Sequence, residues 1–400
     1  FLWMSMSLMM VGRMGSEIGV SQNFGRGDKD SARGYAENAL MLSIFLGIGY
    51  ALLMALFADQ WMIPFGMYGT PTGQAGSAYL RIASIGIPFT YITASLSGTF
   101  TGAGNSARAF VANAVGLVIN IILDPLMILV WGWGVGGAAI ATVIAQVVVG
   151  VLFLVFIKLH KQRPFPKFDL WSKLRMDKVR SIFRWSTPVV LENVIFIAMS
   201  MVVSSMISTG YGEEAFTAQR IGSQIESLSW LIGGGFASAL TSFIGQNYGA
   251  RKWARVHRGY KISLIGLLAW ECVVTLLLIF CGRAMFMLFI DSPVHVVDMG
   301  EAYLKILAGC MPLMAFEGAC AGAFRGVGQT VPPSICAVVF HLLRVPMCWL
   351  LGQYWGMYGI WLGVSISGGM RGLAEFIWYT IYSRKLPKTD ETIAPEVAPV

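Results

Sequence analysis

Charge is what this 400-residue chain has least of: Asp, Glu, Lys and Arg together make up 12%, while hydrophobic residues make up 56%. A soluble domain carries roughly a quarter charged residues, so an ordinary soluble fold is excluded and lipid is the expected solvent. The six cysteines fall at 272, 281, 310, 320, 336 and 348, within or beside apolar runs and without metal-like spacing, which excludes a zinc module. Of the four histidines, His160, His257 and His295 lie in loop-like sequence and only His341 sits in an apolar run. No Ser-His-Asp set or pair of catalytic carboxylates stands in a plausible arrangement, so neither an enzyme nor a cofactor is expected. The Gly-x-Gly pairs at 102–104 and 326–328 lack the Lys-Ser/Thr and the strand-to-helix setting of a phosphate loop. No run reads as a cleaved signal peptide.

Long apolar runs are abundant. A membrane-spanning helix needs about 20 mostly apolar residues, and such stretches lie near 1–22, 36–63, 76–100, 108–130, 136–157, 183–209, 215–245, 260–282, 300–324, 331–352 and 358–383, eleven in all. The runs are too long and too unbroken for strands, so the fold class is an all-α polytopic membrane protein.

Basic residues gather at every second connection. Arg26, Lys29 and Arg33 follow the first run, eight Lys and Arg from Lys158 to Arg180 fill the central segment, Arg251, Lys252, Arg255 and Arg258 follow the seventh run, and Arg384, Lys385 and Lys388 follow the last. The connections around 64–75, 131–135, 210–214 and 353–357 contain no Lys or Arg, and 283–299 contains only Arg283. The positive-inside tendency puts the basic loops and the C-terminal tail in the cytoplasm. The net charge of +8 follows from this asymmetry, and without an aromatic-basic platform it does not imply nucleic acid as a partner.

A repeat at a spacing of 224 residues organises the chain. Gln22-Asn23-Phe24-Gly25 returns as Gln246-Asn247-Tyr248-Gly249, and Tyr79-Leu80-Arg81-Ile82 returns as Tyr303-Leu304-Lys305-Ile306, with Pro88 matched by Pro312. Gly98–Asn105 returns as Gly322–Gln329. Matching loops carry the same charge, so the copies run the same way through the membrane, as a parallel repeat with an even number of spans each. The second copy has six runs and the first has five, so a further span is expected in front of Phe1. The expected division is an N-lobe at 1–158, a cytoplasmic linker at 159–182 with Pro164 and Pro166, a C-lobe at 183–385 and a tail at 386–400.

Several spaced motifs sharpen this. Gly102-Ala103-Gly104-Asn105, Asn120-Ile121-Ile122-Leu123-Asp124-Pro125, the stretch Gly134–Thr142 and Ile244-Gly245-Gln246-Asn247-Tyr248-Gly249-Ala250 together resemble the multidrug and toxic compound extrusion (MATE) family, nearer its DinF-type than its NorM-type branch. The resemblance covers essentially the whole chain, from the family's second helix to its twelfth. It implies two pseudo-symmetric six-helix lobes around a central cavity, the first lobe lacking its opening helix. It also implies a secondary active efflux antiporter in the cytoplasmic membrane of a prokaryote, driven by H+ or Na+, with small amphipathic cations as substrates and a monomer as the working unit.

Acids within apolar runs are costly and mark candidate sites. Asn120 and Asp124 are four apart, on one helix face, and Pro125 loosens the adjoining backbone; a carboxylate beside an amide oxygen suits a proton or Na+. In DinF-type members the matching Asn and Asp, a Thr on the next helix and an Asp on the first helix hold the coupling ion, which the resemblance maps onto Asn120, Asp124 and Thr142. A buried Asp satisfied by neighbouring hydroxyls is the bland alternative. Glu192, four residues after Pro188, is either a protonatable cavity acid or a group bonded to backbone freed by the proline. Glu317 lies about one turn from the essential acid of NorM-type members and is a further cavity candidate. Glu226 has Arg220 and Gln224 nearby, which favours a structural network as much as cation binding. Arg13 with Glu17, and Arg371 with Glu375, read as neutralising pairs, and Arg81 and Lys305 as snorkelling bases. His341 shares a helix with Arg344 and reads as a packing histidine or a proton relay, and Glu271 stands alone.

Glycines at 102, 104, 326 and 328 are expected to close helices through left-handed turns, and Gly233-Gly234-Gly235 to allow close packing or bending. The 22 Met and 13 Trp suit an adaptable apolar chamber as well as lipid-facing surfaces. Two other readings remain. One is a lipid-linked saccharide flippase of the same superfamily, whose cavity should be rich in cations such as Arg220, Arg344 and Arg371. The other is a truncated, non-transporting membrane protein.

Overall fold

The computed structural model describes residues 2–159 and 163–390. His160 and Lys161 of the basic linker, and the tail beyond residue 390, lie outside them. Among the described residues the chain is helical throughout, in ten elements: α1 (Leu2–Arg26), α2 (Lys29–Leu56), α3 (Pro71–Gly102), α4 (Ser106–Pro125), α5 (Gly134–Lys158), α6 (Met176–Gly249), α7 (Trp253–Met287), α8 (Val294–Ala308), α9 (Met311–Gly326) and α10 (Val331–Ser383). A 3-10 turn, Gln60–Phe65, precedes α3, and a π-helical turn, Leu126–Val130, extends α4.

The start signals are local. The Asp28 side chain accepts from the Ser31 N–H to open α2, and Thr70 does the same for Gly73 ahead of Pro71 in α3. Pro312 stands in the first turn of α9, where its missing N–H costs nothing.

Two expected connections all but vanish. The stretches 183–209 and 215–245 run together in α6, interrupted by a single non-helical residue, Gly212 (φ 86°, ψ −179°). Gly356 (φ 61°, ψ −142°) breaks α10 in the same way. Glycine tolerates these angles because it has no Cβ. Conversely, the expected single span 300–324 is bent by 54° between α8 and α9. With these breaks, the helices account for the eleven expected apolar runs. Among the described residues, six helices, together with the bent pair α8–α9, are long and apolar enough to cross a membrane, and they carry exposed apolar side chains such as Phe110 on α4 and Phe280 on α7. Helices α1 and α3 turn a polar stripe inward instead, with Ser16, Glu17, Ser21, Ser95 and Thr99 all buried. Ser16 Oγ donates to the Ser95 carbonyl at 2.9 Å, which satisfies its hydroxyl away from water.

The chain forms two compact units, Phe1–Thr187 and Pro188–Val400. In the first, the segment after α5 packs along α2. Glu37 accepts from the Asp169 N–H at 3.0 Å and Asn38 from the Arg175 N–H at 2.7 Å. Lys178 donates to the Ser31 hydroxyl at 2.9 Å, and Phe165 and Phe168 are buried in the cluster that includes Leu40 and Phe100.

The repeat is visible within each unit. A Cβ on Gly98 would lie 2.7 Å from the Arg13 carbonyl, and one on Gly322 would lie 2.7 Å from the Ala237 carbonyl. A Cβ on Gly102 would lie 2.9 Å from the Glu17 carbonyl, and one on Gly326 would lie 2.9 Å from the Thr241 carbonyl. All four pairs are related by the 224-residue spacing. The glycines at 102 and 326 are therefore helix-packing positions, contrary to the expectation from sequence, and only Gly104 (φ 81°) and Gly328 (φ 80°) take the left-handed turn. The bases at 81 and 305 also have partners beyond snorkelling: Arg81 pairs with Asp59 at 2.7 Å and Lys305 with Glu301 at 2.6 Å.

Candidate functional site

The second unit gathers a cluster of ionisable side chains that the sequence presented as separate residues. At its centre is Arg371, in the second half of α10. Its Nε lies 3.1 Å from Glu375 Oε1, as the spacing of four predicts. Its Nη2 lies 3.0 Å from Glu317 Oε1 on α9 and 3.3 Å from Glu192 Oε1 on the first half of α6. The remaining edge, Nη1, points at His341 Nε2 at 3.1 Å. A guanidinium only donates, so Nε2 accepts and the imidazole carries its proton on Nδ1. His341 also packs on Phe196, with ring centroids 5.1 Å apart. Its partner is thus Arg371, whereas Arg344 donates to Ser367 Oγ at 2.9 Å.

Three carboxylates from three helices therefore meet one guanidinium. Glu192 is held further by Ser334, whose hydroxyl donates to Oε2 at 2.7 Å, and it faces Arg325 at 3.7 Å. This rules out the reading in which Glu192 bonds to backbone freed by Pro188. Glu375 is fully buried and Arg371 nearly so. Arg371 and Arg325 leave one carboxylate of the three in formal excess, and an excess buried carboxylate calls for a proton or a cation.

Beside the cluster lies a cavity of ≈ 160 Å³, whose lining includes Trp230, Glu271, Met314, Glu317, Arg325 and Arg371. Gly233 and Gly234 front it, and a Cβ at either, or at Gly235, would meet nothing within 4 Å. A side chain at any of these glycines would have open space in front of it. Glu271, which the sequence left unexplained, accepts from the Ser229 hydroxyl at 2.6 Å. Glu226 does form a structural network, but with Trp230 Nε1 (2.9 Å) and the Tyr303 hydroxyl (3.3 Å) rather than with Arg220.

In the first unit, Asn120 Nδ2 donates to Asp124 Oδ1 at 3.3 Å, on one face of α4 as expected. Thr142 does not join them: its hydroxyl donates to the Ala138 carbonyl of its own helix at 2.9 Å. Asp124 is half-buried and directly precedes Pro125 and the π-helical turn Leu126–Val130, and among the described residues it has no ion-pair partner. The second unit places Arg344 and Cys348 at the positions equivalent to Asn120 and Asp124, so this pair is not duplicated. The cysteines are free, and no metal-binding group of His, Cys, Asp and Glu occurs among the described residues.

Known proteins share this arrangement of helices. The MatE family profile matches residues 1–126 and 188–350. The chain is 26% identical over 394 residues to the probable multidrug resistance protein NorM of Thermotoga maritima, covering 94% of this chain and 82% of that one. It is 26% identical over 372 residues to the probable multidrug resistance protein YpnP of Bacillus subtilis, covering 90% and 80%. Among solved structures, it superposes with a TM-score of 0.90 and 24% identity on an outward-facing multidrug resistance MATE family transporter of the MOP superfamily, covering 97% of this chain and 87% of that one. A MOP superfamily transporter from Pyrococcus furiosus, described as having a binding pocket of reverse polarity that suggests a different function, matches equally well, with a TM-score of 0.90, 22% identity and the same coverage. The profile accounts for both halves of the repeat and for most of the chain, and the protein is a member of the MatE family of membrane transporters.

Proposed function

We propose that this protein is a secondary active multidrug exporter that expels small amphipathic cations in exchange for an inward-moving coupling ion, with H+ favoured over Na+. The observation that carries this reading is the convergence of Glu192, Glu317 and Glu375 on Arg371. A guanidinium already occupies the centre of that group, so a sodium ion would share its oxygen ligands with a fixed positive charge, whereas a proton needs only one oxygen. Protonating one carboxylate removes a partner from Arg371 and lets the helices that carry the group rearrange. A substrate cation in the adjoining cavity competes with the proton for the same negative charge, and competition of this kind is what couples two fluxes. The transport cycle alternates between outward-open and inward-open states, in the cytoplasmic membrane of a prokaryote with the basic loops inside, and the working unit is a monomer.

Asp124 with Asn120 is a second candidate for the coupling ion. It is supported by their hydrogen bond and by the π-helical turn that follows, since such turns recur at functional sites. The flippase reading gains little support, because both guanidiniums of the cavity, Arg325 and Arg371, already face carboxylates. The test is ethidium exchange against an imposed pH or Na+ gradient in vesicles carrying the purified protein. Ethidium movement that ignores both gradients contradicts the proposal.

A further inference from the structure

Past α5 the chain runs back along α2, and the two faces of this segment differ sharply. Pro164 and Pro166 favour an extended backbone here, and Phe165 and Phe168 are buried in the cluster that includes Leu40 and Phe153. Lys167, Trp171, Lys173 and Arg175 are instead all exposed, Trp171 to 72%. The neighbour of Trp171 explains why a tryptophan stands there. Its ring centroid lies 6.4 Å from that of Phe45 on α2. Every residue of α2 from Ala36 to Ser43 is buried, and beyond them Phe45, Ile48, Leu52 and Leu56 form an exposed apolar stripe at helical spacing. On a helix long and apolar enough to cross a membrane, such a stripe faces lipid. Trp171 therefore adds one more ring to the end of a lipid-facing surface.

The charge beside it is mostly of one sign. Among the described residues from Lys158 to Arg180, the exposed bases are Lys158, Arg163, Lys167, Lys173, Arg175 and Arg180, six against the two exposed acids Asp169 and Asp177. Arg163 donates to the Lys158 carbonyl at 2.7 Å, and Arg175 pairs with Asp177 at 3.9 Å. Lys167 and Lys173 have no hydrogen bond or ion pair among the described residues. A tryptophan at the margin of an apolar surface, flanked by uncommitted lysines, suits the boundary between membrane and water.

We infer that residues 163–175 form an interfacial anchor for anionic phospholipid, with Trp171 entering the edge of the bilayer beside Phe45 and Lys167, Lys173 and Arg175 holding headgroup phosphates. A soluble acidic partner would answer the bases but would have to share Trp171 and Phe45 with the bilayer. A zwitterionic headgroup accommodates the indole but does not balance the surplus of positive charge.

The experiment places the full chain in nanodiscs of phosphatidylcholine that contain a small fraction of lipid brominated near the glycerol end of its acyl chains. The brominated lipid is either phosphatidylglycerol or phosphatidylcholine. Bromine quenches tryptophan on contact, and subtracting the emission of Trp171→Phe in each background isolates this indole from the other tryptophans. Quenching of Trp171 should report a local enrichment of phosphatidylglycerol of about five-fold or more, the factor that one base contributes near an anionic surface. The enrichment should fall as salt is raised. Lys167→Gln combined with Lys173→Gln should remove most of it while leaving quenching by brominated phosphatidylcholine in place, a split that loss of structure does not produce. Trp171 that neither lipid quenches overturns the inference and returns the segment to a soluble partner. Equal quenching by the two lipids in wild type overturns it as well, as does an enrichment that survives both substitutions or high salt.

Discussion

Glu317 Oε1 lies 3.0 Å from Arg371 Nη2, joining α9 to α10 through an ion pair at the wall of the cavity. The same guanidinium is shared with Glu192 and Glu375, so its removal has a definite cost. Arg371→Met leaves two buried carboxylates, Glu192 and Glu375, and the half-buried Glu317 without their common partner, and breaking a buried pair typically costs about 3–5 kcal/mol. Thermal unfolding of the variant in detergent should begin well below wild type. Raising the proton concentration should recover part of the loss, because protonated carboxyls no longer need the arginine.

The glycines separate into two classes with opposite predicted effects. Gly98→Ala and Gly322→Ala place a methyl group 2.7 Å from a carbonyl oxygen of the neighbouring helix, and each should destabilise the protein by about 1–3 kcal/mol. Gly235→Ala meets nothing within 4 Å, and improved helix propensity should make it neutral or stabilising by up to about 1 kcal/mol. Paired melting curves test the contrast.

The segment between α5 and α6 is held to α2 at Glu37, Asn38 and Ser31. Asn38→Ala removes the acceptor for the Arg175 N–H, a loss on the order of 1 kcal/mol. Limited trypsin digestion should then cut the variant faster than wild type at Lys167 and Lys173.

Much of this architecture was legible in the sequence. The 224-residue spacing announced the internal repeat, since Gly98/Gly322 and Gly102/Gly326 make the same close approaches within each unit. The spacing of four gave Arg371–Glu375 and Asn120–Asp124, because helical geometry alone dictates those neighbours. What the sequence could not show was the meeting of Glu192 and Arg371, 179 positions apart, because pairing across helices depends on how they pack. Glu271 was opaque for the same reason: its partner Ser229 lies on α6, 42 positions away. The left-handed role expected for Gly102 and Gly326 failed because a helix-ending glycine and a helix-packing glycine have the same local sequence.

Asp124 offers a direct comparison between the two candidate ion sites. If the cluster around Arg371 carries the coupling, Asp124→Asn should keep gradient-driven exchange within a few-fold of wild type. Loss of exchange in Asp124→Asn, with Glu317→Gln unaffected, moves the coupling site to the first unit. Initial rates of ethidium flux under a fixed pH gradient give the answer.

The most direct test of the central claim measures Glu317→Gln in reconstituted vesicles, following ethidium flux and lumenal pH together. The substitution keeps the shape of the side chain but removes its ability to take up a proton. The account predicts that ethidium still binds but that its flux no longer responds to the pH gradient, a loss of roughly 5–150-fold, the usual range of a coupling free energy. Flux in Glu317→Gln that remains fully driven by the gradient, with unchanged proton counterflow, would contradict the assignment of coupling to the carboxylates around Arg371.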